Sequence, residues 1–123
     1  MNRNAAHTKL VDAVLLELGR EPDLVLWKNN QSAGAKIDKN GREYFGRAGL
    51  PKGSPDIVGI LTWGSPPTGR WFSLEAKTGR GELSPEQLDF AELVRKRGGF
   101  CAEVRSTEDA RAALARARNG ADR

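Results

Sequence analysis

Apolar residues recur at Leu10, Val14 and Leu18, with Val11 and Leu15 beside them, and this spacing predicts a helix over residues 6–18 that stops at Gly19. Four later stretches have strand character instead: 24–29 (LVLWKN), 56–62 (DIVGILT), 71–77 (WFSLEAK) and 100–104 (FCAEV). Ser84, Pro85 and Gln87 form an S-x-x-Q capping box with proline at the first helical position. They predict a helix whose apolar stripe is Leu88, Ala91 and Val94, with Phe90 and Leu93 adjoining and Gly98 and Gly99 ending it. Ser106 caps a last helix with Ala110, Ala113, Leu114 and Ala117 on one face. Residues 119–123 are expected to fray.

The remaining segments read as punctuation. In the basic stretch of about 31–48, KNG lies between AKI and REYF and predicts a β-hairpin. GLPKGSP (49–55) holds too much Gly and Pro for a regular element, and WGSPPTGR (63–70) reads as a loop. The order is therefore α-β-(hairpin)-β-β-α-β-α over one domain, 1–123. It predicts an α/β fold, a mixed β-sheet flanked by helices. The strand at 71–77 reaches the strand at 100–104 through a helix, so this pair is expected to be parallel, with a right-handed crossover.

Composition narrows the classes. The chain of 123 residues has one cysteine, Cys101, and one histidine, His7. That excludes an intrachain disulfide and a Cys/His zinc cluster. Cys101 reads as a small buried hydrophobe. No run approaches the roughly 20 apolar residues of a membrane span, and the first residues lack a secretion-signal core, so a cytoplasmic protein is expected. The net charge of +4 is unevenly spread. Residues 28–52 carry six bases against two acids, residues 53–94 six acids against three bases, and residues 95–123 eight bases against four acids. Such segregation fits a polyanion footprint around an acidic centre, and it also fits a plain solubilising surface.

The acidic centre is where chemistry enters. Side chains alternate along a strand, so Phe72, Leu74 and Ala76 share one face, and Trp71, Ser73, Glu75 and Lys77 share the other. Alone, Glu75 and Lys77 read as an ion pair on a solvated sheet face. Asp56 changes this. If 56–62 and 71–77 pair as a hairpin, Asp56 reaches the end of the second strand that carries Glu75 and Lys77. Two converging carboxylates repel unless a cation lies between them, and hard oxygen donors favour Mg²⁺ or Mn²⁺. The backbone carbonyl of Ala76 is a plausible third protein ligand, and Lys77 could orient a water or neutralise charge on a phosphate. A turn-capping role for Asp56 is the structural alternative.

Pro55-Asp56, eighteen residues, then Glu75-Ala76-Lys77 resembles the PD-(D/E)XK nuclease signature. The longer string GSPDIVGI…WFSLEAKTGRGELSPEQLDFAELVRKRGGFCAEVRSTED resembles the VRR-NUC family of that superfamily, most clearly over residues 49–110. The resemblance implies a restriction-endonuclease-like core and Mg²⁺- or Mn²⁺-dependent cleavage of DNA. It also implies kinship with compact Holliday-junction-resolvase-like members that act as homodimers on branched DNA. Carried onto this sequence, Asp56 and Glu75 bind metal, Lys77 is the catalytic lysine, and Gln87 stands near the active site. A capping role and a site role compete for the one Gln87 side chain, so only one of them is expected.

Family members carry a glutamate near the start of the first helix. Aligned on Leu10, that position holds His7, and Glu17 does not match. A histidine there can ligate Mn²⁺, suits Mg²⁺ poorly, can meet phosphate when protonated, or can be a surface residue. Lys36, Arg42, Arg47, Lys52 and Arg80 are expected to grip the nucleic-acid backbone. Tyr44 and Phe45 are expected in hairpin packing or a dimer contact, with base stacking as the alternative. Two other functions share these features: a DNA-binding module without catalysis, and an RNA nuclease.

Overall fold

A computed structural model of the protein describes residues 3–30 and 32–123, and the side chains of all of these except 3, 4, 32–34, 47 and 48. The elements are α1 (Arg3–Leu18), β1 (Leu24–Lys28), β2 (Ser32–Ile37), β3 (Glu43–Ala48), β4 (Ile57–Trp63), β5 (Thr68–Ala76), α2 (Pro85–Lys96), β6 (Phe100–Val104) and α3 (Thr107–Arg118). Their order is the one the periodicities predict. The β4–β5 ladder is longer than expected, because Trp63 and Thr68–Arg70 continue it into the stretch read as a loop.

β1, β4, β5 and β6 form one mixed sheet in that spatial order, and β2 and β3 form a separate two-stranded sheet. β4 is antiparallel to β1 and β5, while β5 and β6 are parallel, as a connection through α2 requires. α1 and α3 cover one face of the sheet. Val11, Val14 and Leu18 of α1 and Ala110, Ala113, Leu114 and Ala117 of α3 pack on Ile57, Leu61, Phe72, Leu74, Ala76, Phe100, Ala102 and Val104. Small alanines let α3 lie close to the strands. Phe72 and Phe100 stack at 5.2 Å between ring centroids, with ring planes nearly parallel at 7°.

α2 covers the other face. Ala91 and Val94 bury against Cys101, with Trp71 and Phe90 packed alongside. The predicted stripe needs one correction: Leu88 is 53% exposed. The buried line on α2 runs from Val94 and Ala91 back to Gln87, a four-residue step, so Leu88 rotates off it. The last residues also depart from expectation, because they are hydrogen-bonded. The Asp122 carbonyl accepts from the Cys101 N–H at 3.0 Å, and the Ala121 carbonyl accepts from Arg70 Nη2 at 2.7 Å. Arg70 also donates to the Gly98 and Ala117 carbonyls, so one guanidinium joins β5 to the ends of α2 and α3.

The β2–β3 hairpin turns at Asp38, whose Oδ1 accepts from the N–H groups of Asn40 and Arg42, with Gly41 at φ +81°. Its apolar side chains are not packed away: Ile37, Tyr44 and Phe45 are 71%, 52% and 75% exposed. Among the described residues no helix is long and apolar enough to cross a membrane.

Candidate functional site

The β4–β5 hairpin sets the first two residues of the site. Its register pairs Ile57 with Leu74, so one step outward Asp56 stands opposite Glu75. Directly opposed residues point to the same side of a sheet. Here that side is the one under α2. Asp56 stays at the strand entrance through contacts on both flanks. The Asn29 N–H donates to the Asp56 carbonyl at 2.8 Å, extending the β1–β4 ladder. Asn29 Nδ2 donates to Ser54 Oγ at 2.7 Å and to the Pro55 carbonyl at 2.8 Å, which fastens the GSP turn. On the β5 side, Asp56 Oδ2 accepts the Ala76 N–H at 2.8 Å, so a carboxylate takes over where the backbone ladder ends. In a strand the N–H and C=O of one residue point the same way across the ladder, so the Ala76 carbonyl also faces the Asp56 side.

Glu75 is only 5% exposed. The solvated ion pair with Lys77 that the sequence first suggests is therefore not what forms: α2 lies over Glu75, and Gln87 Nε2 donates to its Oε1 at 3.1 Å. At the same time Gln87 Oε1 accepts the Ser84 N–H at 2.8 Å, and Ser84 Oγ accepts the Gln87 N–H at 3.2 Å. One Gln87 side chain therefore completes the capping box and also bonds Glu75, two contacts that were expected to exclude each other. The amide has an acceptor and a donor at opposite corners, and each serves one role. The capping box thus fixes the rotamer that reaches Glu75.

The electrostatics follow from this crowding. Burial, hydrogen bonding to the facing Asp56 carboxyl and repulsion from it push the Glu75 carboxyl up from 4.5 to about 9. The Lys77 ammonium pulls the other way and is outweighed, while Glu103, opposite Glu75 on β6, adds a smaller push upward. Lys77 follows the last residue of β5, held by its N–H to the Val104 carbonyl at 3.0 Å. Two opposed carboxyls whose ammonium neighbour does not compensate them fit a divalent cation: it would supply the missing charge. The donors that could hold it are Asp56, Glu75 and the Ala76 carbonyl. Among the described residues no three His, Cys, Asp or Glu side chains already enclose a single metal position, and Glu75 Oε1 is engaged with Gln87.

His7 arrives from the other sheet face. It lies one helical turn before Val11, whose burial sets the rotation of α1. Its Nε2 stands 3.2 Å from Asp56 Oδ2, with the imidazole 38% and the carboxylate 24% exposed.

The expected backbone-gripping residues are dispersed. Lys36 and Arg42 lie on the hairpin, and Arg80 is exposed in the loop after Lys77. Lys52 is exposed and pairs with Glu86 at 3.5 Å. The Arg47 side chain lies outside the described set. Gly53 brings the loop holding Lys52 against α2: its φ is +91°, and a Cβ there would stand 2.4 Å from the Glu86 carbonyl oxygen.

Two positioning residues have no sequence motif. Asn29 is one. Arg105 is the other: its guanidinium donates to the carbonyls of Gly79 and Gly81 and pairs with Glu103, closing the loop that follows Lys77. The only hint for Asn29 was an amide just past a strand end. For Arg105 nothing local distinguished it from other surface arginines. No protein-family model matches the chain, and no functionally characterised protein matches it significantly.

Proposed function

We propose that the protein is a Mg²⁺- or Mn²⁺-dependent endonuclease that hydrolyses DNA phosphodiester bonds, built on a restriction-endonuclease-like core of the VRR-NUC type. The observation that carries this reading is the placement of Asp56, just before β4, opposite Glu75 near the end of β5, with Lys77 two residues further on and Gln87 bonded to Glu75. A divalent cation at such a centre supplies Lewis-acid and templating chemistry for in-line displacement at phosphorus. Asp56, Glu75 and the Ala76 carbonyl hold it. Gln87 orients Glu75. Lys77 aligns the attacking water and offsets charge that builds on the phosphoryl oxygens.

Lys36, Arg42, Arg47, Lys52 and Arg80 contact the backbone of the DNA, and branched DNA such as a Holliday junction or flap is the preferred substrate. The enzyme works as a homodimer in the cytoplasm. Support for a polyanionic substrate comes from the basic stretches that flank the acidic centre in sequence.

The test uses labelled four-way junction, flap, duplex and single-stranded DNA, and matching RNA, with Mg²⁺, Mn²⁺ or EDTA. Metal-dependent DNA cleavage that disappears in Asp56→Ala and Lys77→Ala is expected. No cleavage under any metal, or undiminished cleavage by Asp56→Ala, sinks the reading. Cleavage confined to RNA transfers it to an RNA nuclease, and binding without cleavage to a DNA-binding module. A stable monomer by mass in solution rules out the homodimer.

A further inference from the structure

We infer that His7 is a nitrogen donor to the divalent cation and makes this centre favour Mn²⁺ over Mg²⁺. The inference rests on the cation site proposed above and specifies the metal that it takes.

Three observations combine. First, the imidazole is delivered by a fixed element. Val11 and Val14 are 1% and 0% exposed against the sheet, so α1 cannot rotate without opening the core, and His7 is held over the entrance of β4. Second, its partner is fixed too. The Ala76 N–H holds Asp56 Oδ2 at 2.8 Å, and Asn29 fastens the turn that delivers Asp56. Third, the separation suits shared coordination. Donors bound side by side on an octahedral cation at about 2.0–2.2 Å lie about 3 Å apart. His7 Nε2 and Asp56 Oδ2 are 3.2 Å apart. Without metal, the same distance serves an N–H···O hydrogen bond or ion pair, so the pair needs little rearrangement between the two states.

The donor chemistry then decides the ion. Mg²⁺ prefers oxygen donors and retains its waters, so an imidazole adds little to its binding. Mn²⁺ accepts imidazole nitrogen alongside carboxylate and carbonyl oxygen, and affinity rises further towards Co²⁺ and Ni²⁺. A centre in which the His7 imidazole joins carboxylate and carbonyl oxygen donors therefore favours Mn²⁺ over Mg²⁺. A neutral ligand in this place also leaves one less negative charge to hold Mg²⁺.

Titration of the intact protein with Mn²⁺ and with Mg²⁺, followed by calorimetry, tests this alongside electron spin-echo envelope modulation of the Mn²⁺-loaded protein. The expected result is Mn²⁺ binding at least about tenfold tighter than Mg²⁺, with ¹⁴N modulation from a directly bound imidazole. His7→Ala should lose the modulation and about 10–100-fold in Mn²⁺ affinity, with Mg²⁺ affinity changed by less than about threefold. His7→Glu should narrow the gap between the ions by strengthening Mg²⁺. Circular dichroism of both variants checks that the half-exposed position tolerates them. Mn²⁺ binding that needs Asp56 but shows no ¹⁴N modulation, or equal losses for both ions in His7→Ala, overturns the role of His7 and leaves the cation site standing. No binding of either ion, or binding unchanged in Asp56→Ala, overturns both.

Discussion

Glu75→Gln is expected to stabilise the metal-free protein at neutral pH, although it removes a residue from the heart of the site. Burial and the facing Asp56 carboxyl push Glu75 from 4.5 to about 9 in the folded chain. Below the ordinary glutamate range the carboxyl is protonated in both folded and unfolded states and costs nothing. As pH rises, the unfolded chain releases the proton while the folded chain keeps it until about 9, so folding stability falls across this window. Each pH unit is worth about 1.4 kcal/mol, which accumulates to about 3 kcal/mol by pH 7. Glutamine has the shape of the protonated acid. Its amide oxygen can still accept from Gln87 Nε2, and its amide nitrogen can donate towards Asp56. The variant escapes the titration while keeping these contacts.

Urea unfolding of both proteins in EDTA between pH 4.5 and 9 measures the gap. It should be near zero at the acid end, widen with pH in favour of the glutamine variant, and reach about 3 kcal/mol at pH 7. Saturating Mn²⁺ should stabilise the wild type and close much of the gap, since a cation binds the ionised carboxylate and releases its proton. A gap independent of pH, or a variant that is less stable at pH 8, would refute the account of Glu75 as a buried acid pressed against a second one.

Three further outcomes follow from named contacts. Gln87→Met removes the acceptor of the Ser84 N–H and the donor to Glu75 together, and should cost about 1–2 kcal/mol in urea unfolding, whereas a purely catalytic glutamine would cost nothing. Asn29→Ala frees the GSP turn and should weaken Mn²⁺ binding about tenfold, measured by titration; unchanged affinity would mean that β-sheet pairing alone positions Asp56. Removing Lys52 or Arg42 should each lower the slope of log affinity against log salt by about 1 on junction DNA, and a slope unchanged in both would remove these residues from the backbone contacts.

Much of the architecture was legible before the structure. Local signals carried it: the four-residue spacing in α1, the Ser84 capping box, the turn residues around Asp38 and Gly41, and the strand alternation that separates Phe72, Leu74 and Ala76 from Ser73 and Glu75. These depend on neighbours within a few positions, where backbone geometry alone dictates direction. The opposition of Asp56 and Glu75 was also within reach, because a hairpin fixes its register once its strands are known.

What only the tertiary structure decided is what covers each face and what arrives from far along the chain. Alternation put Glu75 opposite the apolar set but could not say that α2 would bury it. The pair with Lys77 that looked like a surface ion pair is therefore a buried acid with an amide partner. The cap at Ser84 was readable, yet the second bond of Gln87 depends on how α2 lies across β5. His7 meets Asp56 because the burial of Val11, Val14 and Leu18 sets the rotation of α1 over the sheet, and Arg105 closes the loop after Lys77 because β6 runs parallel to β5. A sequence period reports direction within an element. Distances between elements are set by packing, and a site assembled from α1, β4, β5 and α2 exists only once the packing has chosen them.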